Sequence, residues 1–178
     1  MEDYKEDGIE EIPKSKIKKY LILILALVLI FLVSTYYVVF YGVDDVLSGL
    51  IQSYKIDDKL TLNFKENKII FSKEAYDELN SIYDKNKELE FKVCLKGYVE
   101  NKVYNINNIL IPKTFSQKYN EVVSEKCDNN TLIDLHSHPF RRCLASFQDI
   151  INFKRLKITN ENVLLAIMCE KDRFYLYN

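Results

Sequence analysis

The most informative stretch of this chain is HSHPFRRCLASFQD, which covers residues 136–149. It contains both histidines of the 178-residue sequence, His136 and His138. The apolar run at residues 131–136 predicts a β-strand that leads into them. Alternate residues of a strand point to the same face, so both imidazoles are expected on one side. Pro139 then ends the strand, because proline has no N–H to donate to a neighbouring strand.

Asp149 ends this stretch and can join the two histidines as a metal ligand. Two imidazoles and one carboxylate leave one tetrahedral position open for water, as catalytic zinc requires. Cys143 could supply a fourth protein ligand, and the site would then be a closed structural one. Taken alone, His-x-His is often a surface feature, and Ser146-x-x-Asp149 is an ordinary helix capping box. The joint pattern favours a zinc site.

A second informative stretch is the uncharged run YLILILALVLIFLVSTYYVVFYGV at residues 20–43. At about 1.5 Å per helical residue it is roughly 30–36 Å long, which matches a hydrocarbon core of about 30 Å. It is apolar all round, and tyrosines at both ends fit the interfacial aromatic belt. A cleaved signal peptide has a shorter apolar region and a small-x-small cleavage site, which this run lacks. We therefore expect a transmembrane helix that anchors the chain in a lipid bilayer.

The residues that flank this run predict its orientation. Four lysines lie at residues 14–19, whereas the other flank is mainly acidic. The positive-inside rule then places the N-terminus in the cytoplasm and the C-terminal domain outside, as a single-pass membrane protein. We expect residues 1–19 to form a charged flexible tail. Residues 44–59 are expected to be a linker with a helical turn through Val46, Leu50 and Ile51.

Residues 60–178 have the mixed periodicities of one α+β domain. Strands are predicted at 60–64 and 68–71, followed by a helix that Ser72 caps and that ends near Lys85. Two further strands at 90–98 and 102–111 precede a loop at 112–130. After the strand at 131–136 come a helix at 146–157 and strands at 163–169 and 173–177.

Composition excludes several classes of protein. Hydrophobic residues make up 48% of the chain and charged residues 29%, which excludes a disordered polypeptide. The net charge of -1 shows no excess of basic residues of the kind that would attract the phosphates of a nucleic acid. An extracytoplasmic domain would permit a disulfide between Cys143 and Cys169. Cys94 and Cys127 carry no pairing signal, and Cys94 is most simply a small buried hydrophobe.

The pattern His-Ser-His-Pro, six residues, then Ser-x-x-Asp closely resembles the signature of JAMM (MPN+) zinc metalloproteases. That family also places a Glu on an upstream strand, seven residues before a Gly, and Glu90 and Gly97 fit this spacing. The element order follows the family too, so the resemblance covers about Leu60 to Tyr177. It implies an MPN/JAMM (cytidine-deaminase-like) α/β sandwich, preceded here by one transmembrane helix.

The resemblance also implies the role of each site residue. His136, His138 and Asp149 would bind one Zn²⁺. Glu90 would be the general base of hydrolysis, and Ser146 would hydrogen-bond the oxyanion or the bound water. Glu88 would face the same side of a strand as Glu90 and stays an alternative to it.

Members of this family cleave isopeptide or peptide bonds next to the C-terminal tail of ubiquitin or ubiquitin-like modifiers. The resemblance therefore implies a membrane-anchored zinc isopeptidase or peptidase whose substrate is a protein or peptide, including a ubiquitin-like conjugate. An extracytoplasmic domain would instead favour an extracytoplasmic peptide or protein conjugate. Two alternatives stay open: a catalytically silent MPN-type scaffold, and a related zinc hydrolase that trims an amino acid from a carrier protein or peptide.

Overall fold

The computed structural model describes residues 14–40 and 43–178, which contain four helices and ten strands. The chain divides into two compact units, Met1–Val43 and Asp44–Asn178. Most of the expected 1–19 tail and residues 41–42 of the expected span lie outside the described residues. The helices are α1 (Lys14–Phe40), α2 (Val43–Gln52), α3 (Lys73–Lys85) and α4 (Phe147–Thr159). The strands are β1 (Tyr54–Lys55), β2 (Thr61–Phe64), β3 (Asn67–Phe71), β4 (Lys92–Glu100), β5 (Val103–Leu110), β6 (Thr114–Lys118), β7 (Glu121–Ser124), β8 (Ile133–Ser137), β9 (Leu164–Glu170) and β10 (Arg173–Tyr177).

Helix α1 is long and apolar enough to cross a membrane. Its candidate span covers Lys16–Val38 with a mean hydropathy of 2.7, and none of the span is buried. The helix begins at Lys14, so residues 14–19 are helical rather than part of a flexible tail. Lysine is a good helix former, and an apolar helix that follows directly can extend into such a segment.

Among the described residues, eight strands form one mixed sheet in the order β1-β10-β9-β8-β4-β5-β3-β2. The pairs β8–β9 and β3–β5 are parallel, and the other neighbours are antiparallel. Parallel neighbours need a crossover connection, and α4 provides the one between β8 and β9. Strand β8 is thereby held in the middle of the sheet with β4 on one side and β9 on the other.

The two faces of β9 show how the helices cover the sheet. Ala166 and Met168 belong to the larger core, which also contains the buried side chains of α3, whereas Leu165 and Ile167 pack with Phe153 of α4. Alternate residues of a strand point to opposite faces, so α3 and α4 lie on opposite sides of the sheet. The predicted α+β class is confirmed.

Most predicted elements are present with ends shifted by a few residues. Helix α3 begins after Ser72, whose side chain accepts a hydrogen bond from the Ala75 N–H, as the predicted N-cap requires. The loop prediction for residues 112–130 is wrong in part, because β6 and β7 form a separate two-stranded sheet there. Neither strand has a buried residue, so no apolar alternation marks them in the sequence.

Residues 44–59, which the sequence analysis assigns to a linker, fall in the second compact unit. Helix α2 covers most of them, and β1 extends the sheet beside β10. Gly49 of α2 is buried against Cys143, since a Cβ on Gly49 would lie 3.0 Å from the Cβ of Cys143. The segment between the apolar helix and the sheet is therefore an integral part of the folded unit.

All four cysteines are paired. Cys143 bonds to Cys169 with a Cα–Cα distance of 5.1 Å, which is the pairing that the sequence suggested. Cys94 forms a second disulfide with Cys127, with a Cα–Cα distance of 5.7 Å. This pairing corrects the expectation that Cys94 is an unpaired buried hydrophobic residue. The two meet because Cys127 precedes β8, whose Asp134 lies opposite Cys94 in the pairing with β4. The order of strands in the sheet brings Cys94 and Cys127 together, and the sequence around each cysteine gives no indication of this pairing.

Candidate metal centre

His136, His138 and Asp149 come together at the end of β8 and the start of α4. The two imidazole centroids are 5.1 Å apart. Asp149 Oδ1 lies 3.2 Å from Nε2 of His136, and Asp149 Oδ2 lies 3.5 Å from Nε2 of His138. One ligand atom from each residue lies within 4.8 Å of the others. Tetrahedral zinc with bonds of about 2.0–2.1 Å keeps its ligand atoms roughly 3.3 Å apart, so these three side chains can hold one ion with small adjustments.

The histidines are held by the central position of β8. His136 is paired within the strand, and the N–H of His138 donates to the carbonyl of Met168 at 3.0 Å. Pairing with β9 thus continues one residue past the end of β8, and both imidazoles share one face of the sheet. Both are buried, which fixes their orientation.

Asp149 is positioned by the capping box of α4. The Ser146 hydroxyl oxygen accepts from the Asp149 N–H at 3.2 Å, and Asp149 Oδ2 accepts from the Ser146 N–H at 2.7 Å. The capping box and the metal-ligand arrangement therefore coexist, since Asp149 Oδ1 still faces His136. The cap holds the carboxylate before any ion binds.

The loop from Pro139 to Ser146 connects the histidines to Asp149 and is fixed at several points. Phe140 and Arg141 both have φ values of 60°, in the left-handed region that non-glycine residues rarely adopt. Arg141 Nε pairs with Glu170 Oε1 at 2.8 Å, close to the disulfide between Cys143 and Cys169. Because Cys143 is buried and oxidised, the alternative in which its thiolate is a fourth ligand is excluded.

Glu90 lies beside the histidines. Its Oε1 is 3.6 Å from Nε2 of His138, and its side chain is mostly buried. It precedes β4, which begins at Lys92, so the expectation that Glu90 lies on the strand itself is wrong. Glu88 is exposed in the turn after α3. The structure therefore brings Glu90 to the centre.

Backbone hydrogen bonds hold Glu90 from two sides. Its own N–H donates to the carbonyl of Lys118 in β6 at 2.9 Å. On the other side, the Ser137 hydroxyl oxygen accepts from the Phe91 N–H at 3.0 Å, and the Ser137 N–H donates to the Phe91 carbonyl at 2.9 Å. The Ser137 hydroxyl lies 3.4 Å from the Leu89 carbonyl, to which it donates.

The sequence analysis assigned no role to Ser137. The sequence did contain one indication of a role, a small hydroxyl residue at the end of an apolar strand. A buried hydroxyl needs hydrogen-bond partners, so such a residue is expected to bond to a neighbouring segment. The β6–β7 hairpin, which contributes the Lys118 carbonyl, was missed for the lack of a periodic pattern.

Burial and mutual attraction shift the pKa values of the site. Burial raises the pKa of Glu90 above its usual value, although the nearby histidines partly oppose this. Burial acts against the carboxylate of Asp149, but the imidazoles of His136 and His138 outweigh it and hold the pKa of Asp149 well below its usual range. Burial also opposes a charged His136, yet the carboxylate of Asp149 raises the pKa of His136.

The Nε2 atom of His136 indicates that the centre suits a metal ion. Among the described residues, it is one of two buried side-chain polar atoms that make no hydrogen bond of good geometry, although Asp149 Oδ1 lies 3.2 Å away. A buried polar atom is costly unless it is paired or coordinates a metal. When the imidazole is neutral and carries its proton on Nδ1, Nε2 offers a lone pair, so a cation between His136 and Asp149 would satisfy it.

Comparison of the chain with protein-family models and with curated proteins gives no match. The function is therefore argued from the chemistry of the site.

Proposed function

We propose that this protein is a membrane-anchored zinc peptidase or isopeptidase of the JAMM (MPN+) type. The observation that carries the proposal is the convergence of His136, His138 and Asp149, with Glu90 3.6 Å from His138. Two imidazoles and one carboxylate are a ligand set of catalytic zinc. A second carboxylate beside that set is the group that a hydrolytic proton transfer needs.

Each residue has a definite part in this mechanism. Zinc bound at the site would polarise the scissile carbonyl and allow water to attack near neutral pH. Glu90 accepts the proton of the attacking water and returns it to the leaving amine. The Ser146 oxygen accepts from the Asp149 N–H, so its own O–H remains able to donate to the oxyanion.

The proposed location is a single-pass anchor with residues 44–178 outside the cytoplasm. The lysines at residues 14–19 support it through the positive-inside rule. The pairing of all four cysteines supports it independently, because disulfides persist in oxidising compartments. The substrate class is then an extracytoplasmic peptide or protein conjugate.

The test combines metal content with hydrolysis, using the full chain in detergent. We expect about one zinc per wild-type chain, and loss of both zinc and peptide hydrolysis in His138→Ala. Glu90→Gln should keep the zinc while hydrolysis falls by at least about 100-fold, the usual minimum for a general base. Glu88→Gln is the matched control and should keep both properties.

Two outcomes would contradict the proposal. A folded wild-type chain that takes up no zinc when zinc is supplied would favour the scaffold alternative. Full hydrolysis in Glu90→Gln would exclude Glu90 as the base.

A further inference from the structure

Helix α2 carries an exposed apolar pair, Leu47 and Ile51. Residues four apart lie on the same face of a helix, so these two side chains form one apolar surface. Leu47 is 54% exposed and Ile51 is 84% exposed. A helix packed on a domain normally turns such side chains toward the core. Here the high exposure of both side chains shows instead that the exposed pair faces away from the domain to which α2 belongs.

The orientation of α2 is fixed by contacts at its other face and its end. Gly49 is buried against Cys143, with no room for a larger side chain. At the C-terminal end, Arg173 Nη1 donates to the Leu50 carbonyl and to the Ser53 hydroxyl, at 3.2 Å each. The helix cannot turn to bury the exposed pair without breaking these contacts.

Chain connectivity keeps the exposed pair close to the membrane anchor. The candidate span ends at Val38, and only residues 41 and 42 separate α1 from α2. A residue advances at most about 3.3–3.6 Å in extended chain and 1.5 Å in a helix, so Leu47 stays within roughly 20 Å of the end of the span. Tethering at this distance raises the effective concentration of lipid around the exposed pair, which favours a contact that would be weak between free molecules.

We infer that the exposed pair docks on the lipid bilayer that anchors the chain, with Leu47 and Ile51 inserted at the boundary of the headgroups and acyl chains. The α2 sequence contains two aspartates and no lysine or arginine, so the contact is apolar and does not need anionic lipid. This inference rests on the membrane anchoring in the proposed function and is independent of the metal centre.

The absence of tryptophan from the chain allows a direct test. Full-length chains, each with one introduced tryptophan, are reconstituted in phosphatidylcholine vesicles with and without brominated acyl chains, which quench nearby indoles. Leu47→Trp and Ile51→Trp probe the exposed pair, and Leu29→Trp probes the span. Ile158→Trp in α4 is the matched control, because Ile158 is 81% exposed, close to the value for Ile51.

We expect brominated lipid to quench Leu29→Trp, Leu47→Trp and Ile51→Trp and to leave Ile158→Trp unchanged. Quenching of Leu29→Trp without quenching of Ile51→Trp would overturn the docking and leave the anchor intact. If Leu29→Trp is not quenched, the anchor and the docking both fail. An Ile51→Trp indole that is shielded from aqueous iodide but not quenched by lipid would show that protein covers the exposed pair, which also overturns the inference.

Discussion

Ser137 is a single residue whose hydroxyl ties the segment containing Glu90 to β8. We predict that Ser137→Ala leaves the buried Phe91 N–H unpaired, which costs about 1–3 kcal/mol of stability. Misplacement of Glu90 should lower hydrolysis by about tenfold or more while bound zinc is retained. Parallel measurements of zinc content and peptide hydrolysis check this. Ser137→Thr keeps the hydroxyl and should restore activity, whereas wild-type hydrolysis in Ser137→Ala would contradict the positioning role.

Gly97 is a position where two strands approach too closely for a side chain. A Cβ there would lie 1.8 Å from the carbonyl oxygen of Asn105, beside a register shift between β4 and β5. We predict that Gly97→Ala lowers the free energy of unfolding by about 1–3 kcal/mol, the usual cost of overpacking. Urea unfolding of the full chain in detergent measures this change. The exposed neighbour Tyr98→Ala should change stability little, and equal midpoints for the two variants would refute the steric argument.

The Cys143–Cys169 disulfide joins the loop from Pro139 to Ser146 to strand β9. We predict that the double variant Cys143→Ala/Cys169→Ala loses about 2–4 kcal/mol of stability and binds zinc more weakly, because the loop carrying Ser146 and Asp149 is released. Zinc affinity is measured by competition with a chelator. The control is Cys94→Ala/Cys127→Ala, which should lose similar stability and keep its zinc affinity, since that disulfide lies outside the loop. Equal zinc affinities in the two double variants would exclude a clamping role.

At the scale of the whole molecule, the basic flank and the paired cysteines both predict that residues 44–178 face an oxidising compartment. We therefore expect a protease added to intact cells that express the full chain to digest the domain without permeabilisation. The same chain should show no reactive thiol until reductant is added. A domain that is protected until the membrane is opened, with free thiols, would place it in the cytoplasm instead.

Features that depend on local periodicity could be predicted from the order of the amino acids alone. The apolar helix follows from an uncharged run longer than a bilayer core. The shared face of His136 and His138 follows from the two-residue period of a strand, and the position of Asp149 follows from a capping box that closes within four residues. These signals need no distant partner, which is why the α+β class could be predicted. The expectation that His136, His138 and Asp149 bind one metal ion needed in addition the joint spacing of the three residues in the sequence.

Contacts between distant segments of the chain became known only from the folded structure. Glu90 was expected from its spacing to Gly97, but the choice between Glu90 and Glu88 needed the pairing of β4 with β8 and the contact of Ser137 with Phe91, which hold Glu90 beside His138. The Cys94–Cys127 disulfide and the packing of α2 against Cys143 likewise depend on neighbours far along the chain. Such contacts form because folding of the sheet brings these segments together. The pattern of side chains within one segment does not indicate which other segment will lie beside it.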